Sequence, residues 1–147
     1  MTTYDPVSLK ILWDRLVAIA DELVLSLVRT SFSMNVREGY DLSCMIFDAR
    51  ARLIAQGSHV PLHLGSLLGS AEAVLERYSI DDMEEGDAFI LNDPYMAGGT
   101  HMPDVSIVTP VFWDGTVRFF TANIGHHSDL GGSVPGSISA TARSIFE

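Results

Sequence analysis

The chain has 147 residues, of which 47% are hydrophobic, and a formal net charge of -10 from 9 basic and 19 acidic side chains. That is enough for one domain with a modest core, and it excludes the disordered class; without a Lys/Arg cluster it also excludes a nucleic-acid partner. Cys44 is the single cysteine, which excludes a disulfide framework and a cysteine-rich zinc site.

The N-terminus has no basic segment leading into an apolar run, so no secretory signal is expected. The longest apolar stretch, residues 23–28, is interrupted by Ser26 and is far too short to cross a bilayer. No membrane association is expected, and the expected location is the cytoplasm.

Asp5-Pro6 opens a helix, with Asp as the N-cap and Pro at the first helical position. Leu9, Leu12, Leu16, Ile19, Ala20, Leu23 and Leu27 then recur at three- and four-residue spacing, which predicts one long amphipathic helix over residues 7–31. Its apolar stripe serves the core or a partner subunit. Glu38-Gly39-Tyr40 breaks the pattern. Residues 41–47 and 52–55 read as two short strands around Asp48-Ala49-Arg50-Ala51. Pro61 starts a second helix that ends near Arg77-Tyr78, and residues 81–85 form a solvated acidic turn.

Phe89-Ile90-Leu91 reads as a short buried strand, and the Gly/Pro-rich residues 92–104 exclude a helix or a central strand. Residues 105–113 and 116–124 are expected to pair as a hairpin about Asp114-Gly115, and the chain from Gly125 onward is loop-like. The expected class is α+β: a long N-terminal helix and a second helix packed with mainly antiparallel strands.

His101-Met102-Pro103-Asp104 sets an imidazole and a carboxylate three residues apart in a rigid loop. The hairpin that follows begins at Asp104 and returns to His126. An antiparallel hairpin places its two ends side by side, so His101, Asp104 and His126 converge with no tertiary assumption beyond one turn. Two imidazoles with carboxylates suit zinc, manganese or iron. Spacing leaves the fourth donor open among Asp41, Asp93 and Asp129.

His59 and His63 bracket Val60-Pro61-Leu62 and read as pocket-wall or core residues, with His59 outside the helix because it precedes the proline. Cys44 lies in an apolar strand and reads as a buried, inert thiol. Neither Gly98-Gly99-Thr100 nor Gly131-Gly132-Ser133 has the spacing of a phosphate-binding loop, so no nucleotide site is expected.

Taken together, Asn92-Asp93-Pro94-Tyr95, Gly98-Gly99-Thr100-His101-Met102-Pro103-Asp104 and His126-His127-Ser128-Asp129-Leu130-Gly131-Gly132 closely resemble the hydantoinase B/oxoprolinase family. Arg37-Glu38-Gly39-Tyr40-Asp41-Leu42-Ser43-Cys44 and His59-Val60-Pro61-Leu62-His63-Leu64-Gly65-Ser66 agree. That family includes B subunits of ATP-dependent hydantoinases, the C-terminal half of 5-oxoprolinase, and large subunits of acetone- and acetophenone-type carboxylases.

The resemblance implies a divalent metal (zinc, manganese or iron) held by Asp41, His101, Asp104 and His126, with His126 preferred over His127. It also implies a hydantoinase A-type partner with an actin-like ATPase fold, through which ATP and Mg²⁺ enter. The implied reaction is ATP-dependent ring opening of a small cyclic amide or imide. His127 and Asp129 are then candidates for proton transfer or for supporting the ligands. The rival readings are a carboxylase subunit and a non-catalytic fragment. Because members of the family run to several hundred residues, residues 1–147 read as one domain from the N-terminal part of such a subunit, continuing beyond Glu147. The helical stripe is expected to support a homo-oligomer.

Overall fold

The computed structural model describes residues 4–57, 60–144 and 146–147. Helix α1 spans Pro6–Thr30 and is capped by the Asp5 carboxylate, which accepts from the backbone N–H groups of Val7 and Ser8. A four-residue helix, α2, follows at Met34–Arg37 with Ser33 as its N-cap. Sequence periodicity did not foretell it, because one turn is too short to carry a periodic signal.

Strands β1 (Leu42–Asp48) and β2 (Leu53–Gln56) form the expected first hairpin. Helix α3 covers His63–Arg77, two residues later than the proline suggested, and has no side-chain cap. The acidic turn contains a short 3₁₀ segment at Ile80–Asp82. Strand β3 is Phe89–Leu91, β4 is Asp104–Trp113 and β5 is Thr116–His126.

The strands form one antiparallel sheet in the order β2-β1-β5-β4-β3. Helices plus antiparallel strands make the chain an α+β fold, as its sequence implied. One expectation needs correction. β3 is an edge strand, and its central Ile90 is 73% exposed rather than buried. Three apolar residues in a row cannot distinguish a central strand from an edge.

The β4–β5 turn is tight because Asp114 and Gly115 both adopt positive φ, 51° and 66°. That conformation matches the twist of the flanking strands. Strand β5 continues past Ile124 to His126, so this histidine is a strand residue rather than a loop residue.

Alternation along β1 divides the core in two. Met45 and Phe47 face α3 with Leu67, Ala71, Val74, Val108, Phe120 and Ile124. Leu42, Cys44 and Ile46 face α1, where Ala20 and Val24 are buried. Burying a Phe as fully as Phe47 or Phe120 contributes roughly 1.5–3 kcal/mol by area transfer. The stripe on α1 is likewise divided. Leu16, Ala20, Leu23 and Leu27 pack on the sheet, whereas Leu9, Leu12 and Ile19 are exposed, as is Trp13 beside the stripe. Among the described residues, no helix is long and apolar enough to cross a membrane.

Burial pushes the Cys44 thiol up to about 12. The thiolate is the nucleophile, so the folded chain at pH 8 is expected to resist alkylation by iodoacetamide until denaturant is added. Rapid labelling of the folded protein would contradict the packing of α1 on β1.

Candidate metal centre

The β4–β5 hairpin sets Asp104 directly opposite His126, and both are almost fully buried. His101 enters from the preceding turn, where its carbonyl accepts the Asp104 backbone N–H at 3.0 Å. Its Nε2 lies 3.3 Å from Asp104 Oδ2, and its ring sits 5.0 Å from that of His126, centroid to centroid. His101, Asp104 and His126 each offer a ligand atom, and the three atoms lie within 4.8 Å of one another. The Thr100 hydroxyl also donates to Asp104 Oδ2.

Among the described residues, Asp104 Oδ1 is buried without a hydrogen-bond partner. A buried carboxylate oxygen left alone is costly, and a cation would relieve that cost. Two imidazoles and this carboxylate therefore fit a divalent ion such as zinc, manganese or iron.

His126 is held on several sides. Its backbone N–H donates to Asp41 O at 3.1 Å, and its carbonyl accepts from the Ser33 hydroxyl at 2.6 Å. Its Nδ1 lies 2.6 Å from the Asn35 carboxamide nitrogen and its Nε2 2.6 Å from Ser137 Oγ. Helix α2 is thus the element that braces this histidine. The Asn35 carbonyl also accepts the Asp41 backbone N–H at 3.0 Å, which links the brace to the segment before β1.

Asp41 does not belong to the close group of three. It reaches the group through His63, whose Nε2 lies 3.5 Å from Asp41 Oδ1 and 3.8 Å from Asp104 Oδ2. His63 is 1% exposed. Burial drives its pKa below the ordinary histidine value against the pull of Asp104 and Asp41, so the ring is neutral at neutral pH.

The loop carrying His101 is pressed onto α3. Ser70 Oγ donates to Ala97 O at 3.0 Å, and a Cβ on Gly69 would lie 2.8 Å from the Gly98 Cα. Two facing glycines are what permit that approach.

The remaining sequence candidates lie away from the group. His127 is exposed, and its backbone N–H donates to Pro103 O at 2.8 Å. As neighbours on an extended strand end, His126 and His127 point to opposite sides. Asp129 is exposed and accepts from the Gly131 backbone N–H at 2.8 Å. Asp93 is also exposed. Hydrogen bonds from the Tyr95 and Met96 backbones hold its carboxyl below the usual carboxylate range. His59 lies outside the described residues.

Sequence reasoning treated His63 as wall or core and passed over Asn35. His63 stands at the first turn of α3, and only docking of that helix on the sheet brings it to the carboxylates. Local spacing holds no trace of that contact.

The sequence profile of the hydantoinase B/oxoprolinase family matches residues 5–147. The chain is 39% identical over 143 residues to 5-oxoprolinase 1 of Arabidopsis thaliana, a match covering 97% of this chain and 11% of that protein. It is 36% identical over 147 residues to caprolactamase subunit beta of Pseudomonas jessenii, covering 99% of this chain and 25% of that one. Among solved structures, the ATP-dependent caprolactamase from Pseudomonas jessenii superposes with a TM-score of 0.76 at 33% identity, over 91% of this chain and 23% of that chain. A nucleotide-free acetone carboxylase superposes with a TM-score of 0.81 at 21% identity, over 90% of this chain and 18% of that chain, which is a likeness of fold. The chain thus spans between 11% and 25% of the length of the curated relatives named here.

Proposed function

Because this chain belongs to the hydantoinase B/oxoprolinase family, we propose that it is the metal-binding N-terminal segment of an ATP-dependent enzyme that opens small cyclic amides or imides. One observation carries the reading: a His101–Asp104–His126 group in which, among the described residues, the buried Asp104 Oδ1 has no partner. We assign Asp41 as the fourth ligand and residues 1–147 as one domain of the larger subunit. Relatives at 39% and 36% identity are named as an oxoprolinase and a caprolactamase, which favours ring opening over carboxylation.

A bound divalent ion would supply Lewis acidity for polarising a carbonyl or activating water. The chain's own residues set the direction of approach. Asp104 and His126 close the inner side, while the His101 and Asp41 side chains are each 39% exposed and leave the outer side open to a small substrate. His127 and Asp129, exposed and apart from the group of three, are our candidates for proton transfer.

No phosphate-binding loop is legible in the chain, so ATP and Mg²⁺ would act through a hydantoinase A-type ATPase partner. A partner subunit is also suggested by the name of the caprolactamase relative, a subunit beta. The exposed Leu9, Leu12 and Trp13 of α1 are where we place contacts with further protein, a second copy included.

The test is ion retention. The purified chain, incubated with Zn²⁺, Mn²⁺ or Fe²⁺ and desalted, is expected to keep about one ion per chain by elemental analysis. Asp41→Asn should weaken retention more than Asp93→Asn, because Asp93 is committed to backbone N–H groups. The reverse order would remove Asp41 from the ligand set, and an ion-free parent would remove the metal centre. ATP-dependent opening of a cyclic amide is expected only after an A-type partner is added.

A further inference from the structure

We propose that His63 is a positioning residue that holds the carboxylates of Asp41 and Asp104 in the arrangement an ion requires. The proposal rests on the metal-centre reading above and adds a residue which that reading does not use.

Asp41 and Asp104 come from different parts of the sheet. Asp41 precedes β1 and Asp104 opens β4, with β5 lying between those strands. The backbone of His126 touches both segments, by its N–H to Asp41 O and by strand pairing with Asp104. Backbone pairing fixes where the two Cα atoms sit but leaves the side chains to turn. His63 is the side chain that faces both carboxylates, with one nitrogen 3.5 Å from Asp41 and 3.8 Å from Asp104. These separations exceed a hydrogen bond, so the ring serves both groups through its field rather than one through a bond.

The other face of the ring supports this role. Ser43 Oγ lies 3.3 Å from His63 Nδ1 and 3.4 Å from Val60 O. The Ser43 hydroxyl donates to Val60 O and packs against the Nδ1 edge of the ring, so Nε2 is the nitrogen that faces the two acids. Ser43 follows Asp41 by two residues, so the same side of the chain presents both groups to the ring. The ring and Asp104 are both sealed from water, so little screening weakens that contact, whereas Asp41 is part exposed. His63 Nε2 lies outside the compact His101–Asp104–His126 group, which makes it a supporting residue rather than a member of that group.

The experiment compares His63→Leu with His63→Gln in the full chain, reading Zn²⁺ affinity by competition with a chelator. A glutamine carries an N–H near the position of the histidine Nε2, and leucine carries none. His63→Leu is expected to weaken affinity about 10–100-fold, the usual effect of losing a partner of a ligand, while His63→Gln stays within about threefold of the parent. In an Asp41→Asn background the His63→Leu loss should shrink, since part of it acts through that carboxylate.

Parent-like affinity in His63→Leu overturns the proposal. So does a His63→Gln variant as weak as His63→Leu, which would make the ring itself a ligand, and so does full additivity with Asp41→Asn. Should His63→Leu fail to fold, His63→Gln and Ser43→Ala carry the same comparison. The cycle is repeated on the metal-free protein as urea midpoints, where coupling between positions 63 and 41 is expected. A parent chain that binds no ion would sink the metal reading alone, and the metal-free cycle would still decide the case of His63.

Discussion

Asp104→Asn is expected to abolish the stabilisation that an added divalent ion gives the folded chain, while leaving the ion-free protein as stable as the parent or more so. The two effects have one origin. Asp104 is 3% exposed, and its Oδ1 has no hydrogen-bond partner among the described residues. A carboxylate in that position penalises the folded state until a cation meets it. An ion present at about a thousand times its dissociation constant stabilises the folded chain by about 4 kcal/mol, and that gain requires the charge.

His101→Ala separates the terms differently. The side chain is 39% exposed, so its loss should change ion-free stability by no more than about 0.5 kcal/mol, yet it removes a donor. Affinity is expected to fall about 100-fold, corresponding to roughly 3 kcal/mol. Calorimetric melts with and without Zn²⁺ or Mn²⁺ read both quantities. Equal ion-induced shifts in the parent and both variants would end the metal-centre interpretation.

The second large effect belongs to a residue that bonds to nothing in the centre. Gly98→Ala is expected to destabilise the chain by about 2–4 kcal/mol and to weaken ion binding with it. Gly98 has a φ of +69°, a region costing an L-residue roughly 1–2 kcal/mol. An alanine Cβ there would also sit 2.8 Å from Gly69 Cα and 3.1 Å from Ser66 O, both backbone atoms that cannot swing aside. Overpacking of that kind costs about 1–3 kcal/mol.

Gly69→Ala meets the same contact from the helix side, 2.8 Å from Gly98 Cα. Its clash opposes the ~1 kcal/mol that alanine gains in a helix, so a smaller net loss is expected. Gly65, on the same helix with nothing within 4 Å of its would-be Cβ, is the control. Gly65→Ala should hold or raise stability. Urea titration of the three variants tests this, and a Gly98→Ala chain as stable as the parent would show that the loop does not lean on α3.

What could be read from the sequence was local. Asp114-Gly115 announced its turn, and a hairpin of known ends brings Asp104 beside His126 whatever surrounds it. Asp5-Pro6 and the spacing from Leu9 to Leu27 announced α1 nearly to the residue. The contacts that crossed between elements were not legible. His63 sits beside Asp41 and Asp104 only because α3 docks on the sheet. Asn35 reaches His126 from a helix too short to show a period. The apolar stripe gave the general direction of the buried face but not how far along α1 the sheet extends, so Leu9 and Leu12 emerged exposed, and Ile19 at its margin did too. Asp41 was named by resemblance, and geometry links it to the group by way of a histidine that spacing alone had assigned to the core.

The antiparallel hairpin also sets an order of assembly. Joining Asp104 to His126 closes a short loop, whereas pairing β1 with β5 closes about eighty residues, at an added entropy cost of roughly 1 kcal/mol. Short closures are also faster. The inner donors therefore meet as soon as one turn forms, and Asp41 and His63 arrive with the later docking of β1 and α3. On the proposed reading, a nascent chain that has made only this hairpin would already hold two of the proposed ligands together. Divalent ions in the refolding medium would then act on the path to the native state as well as on its final stability.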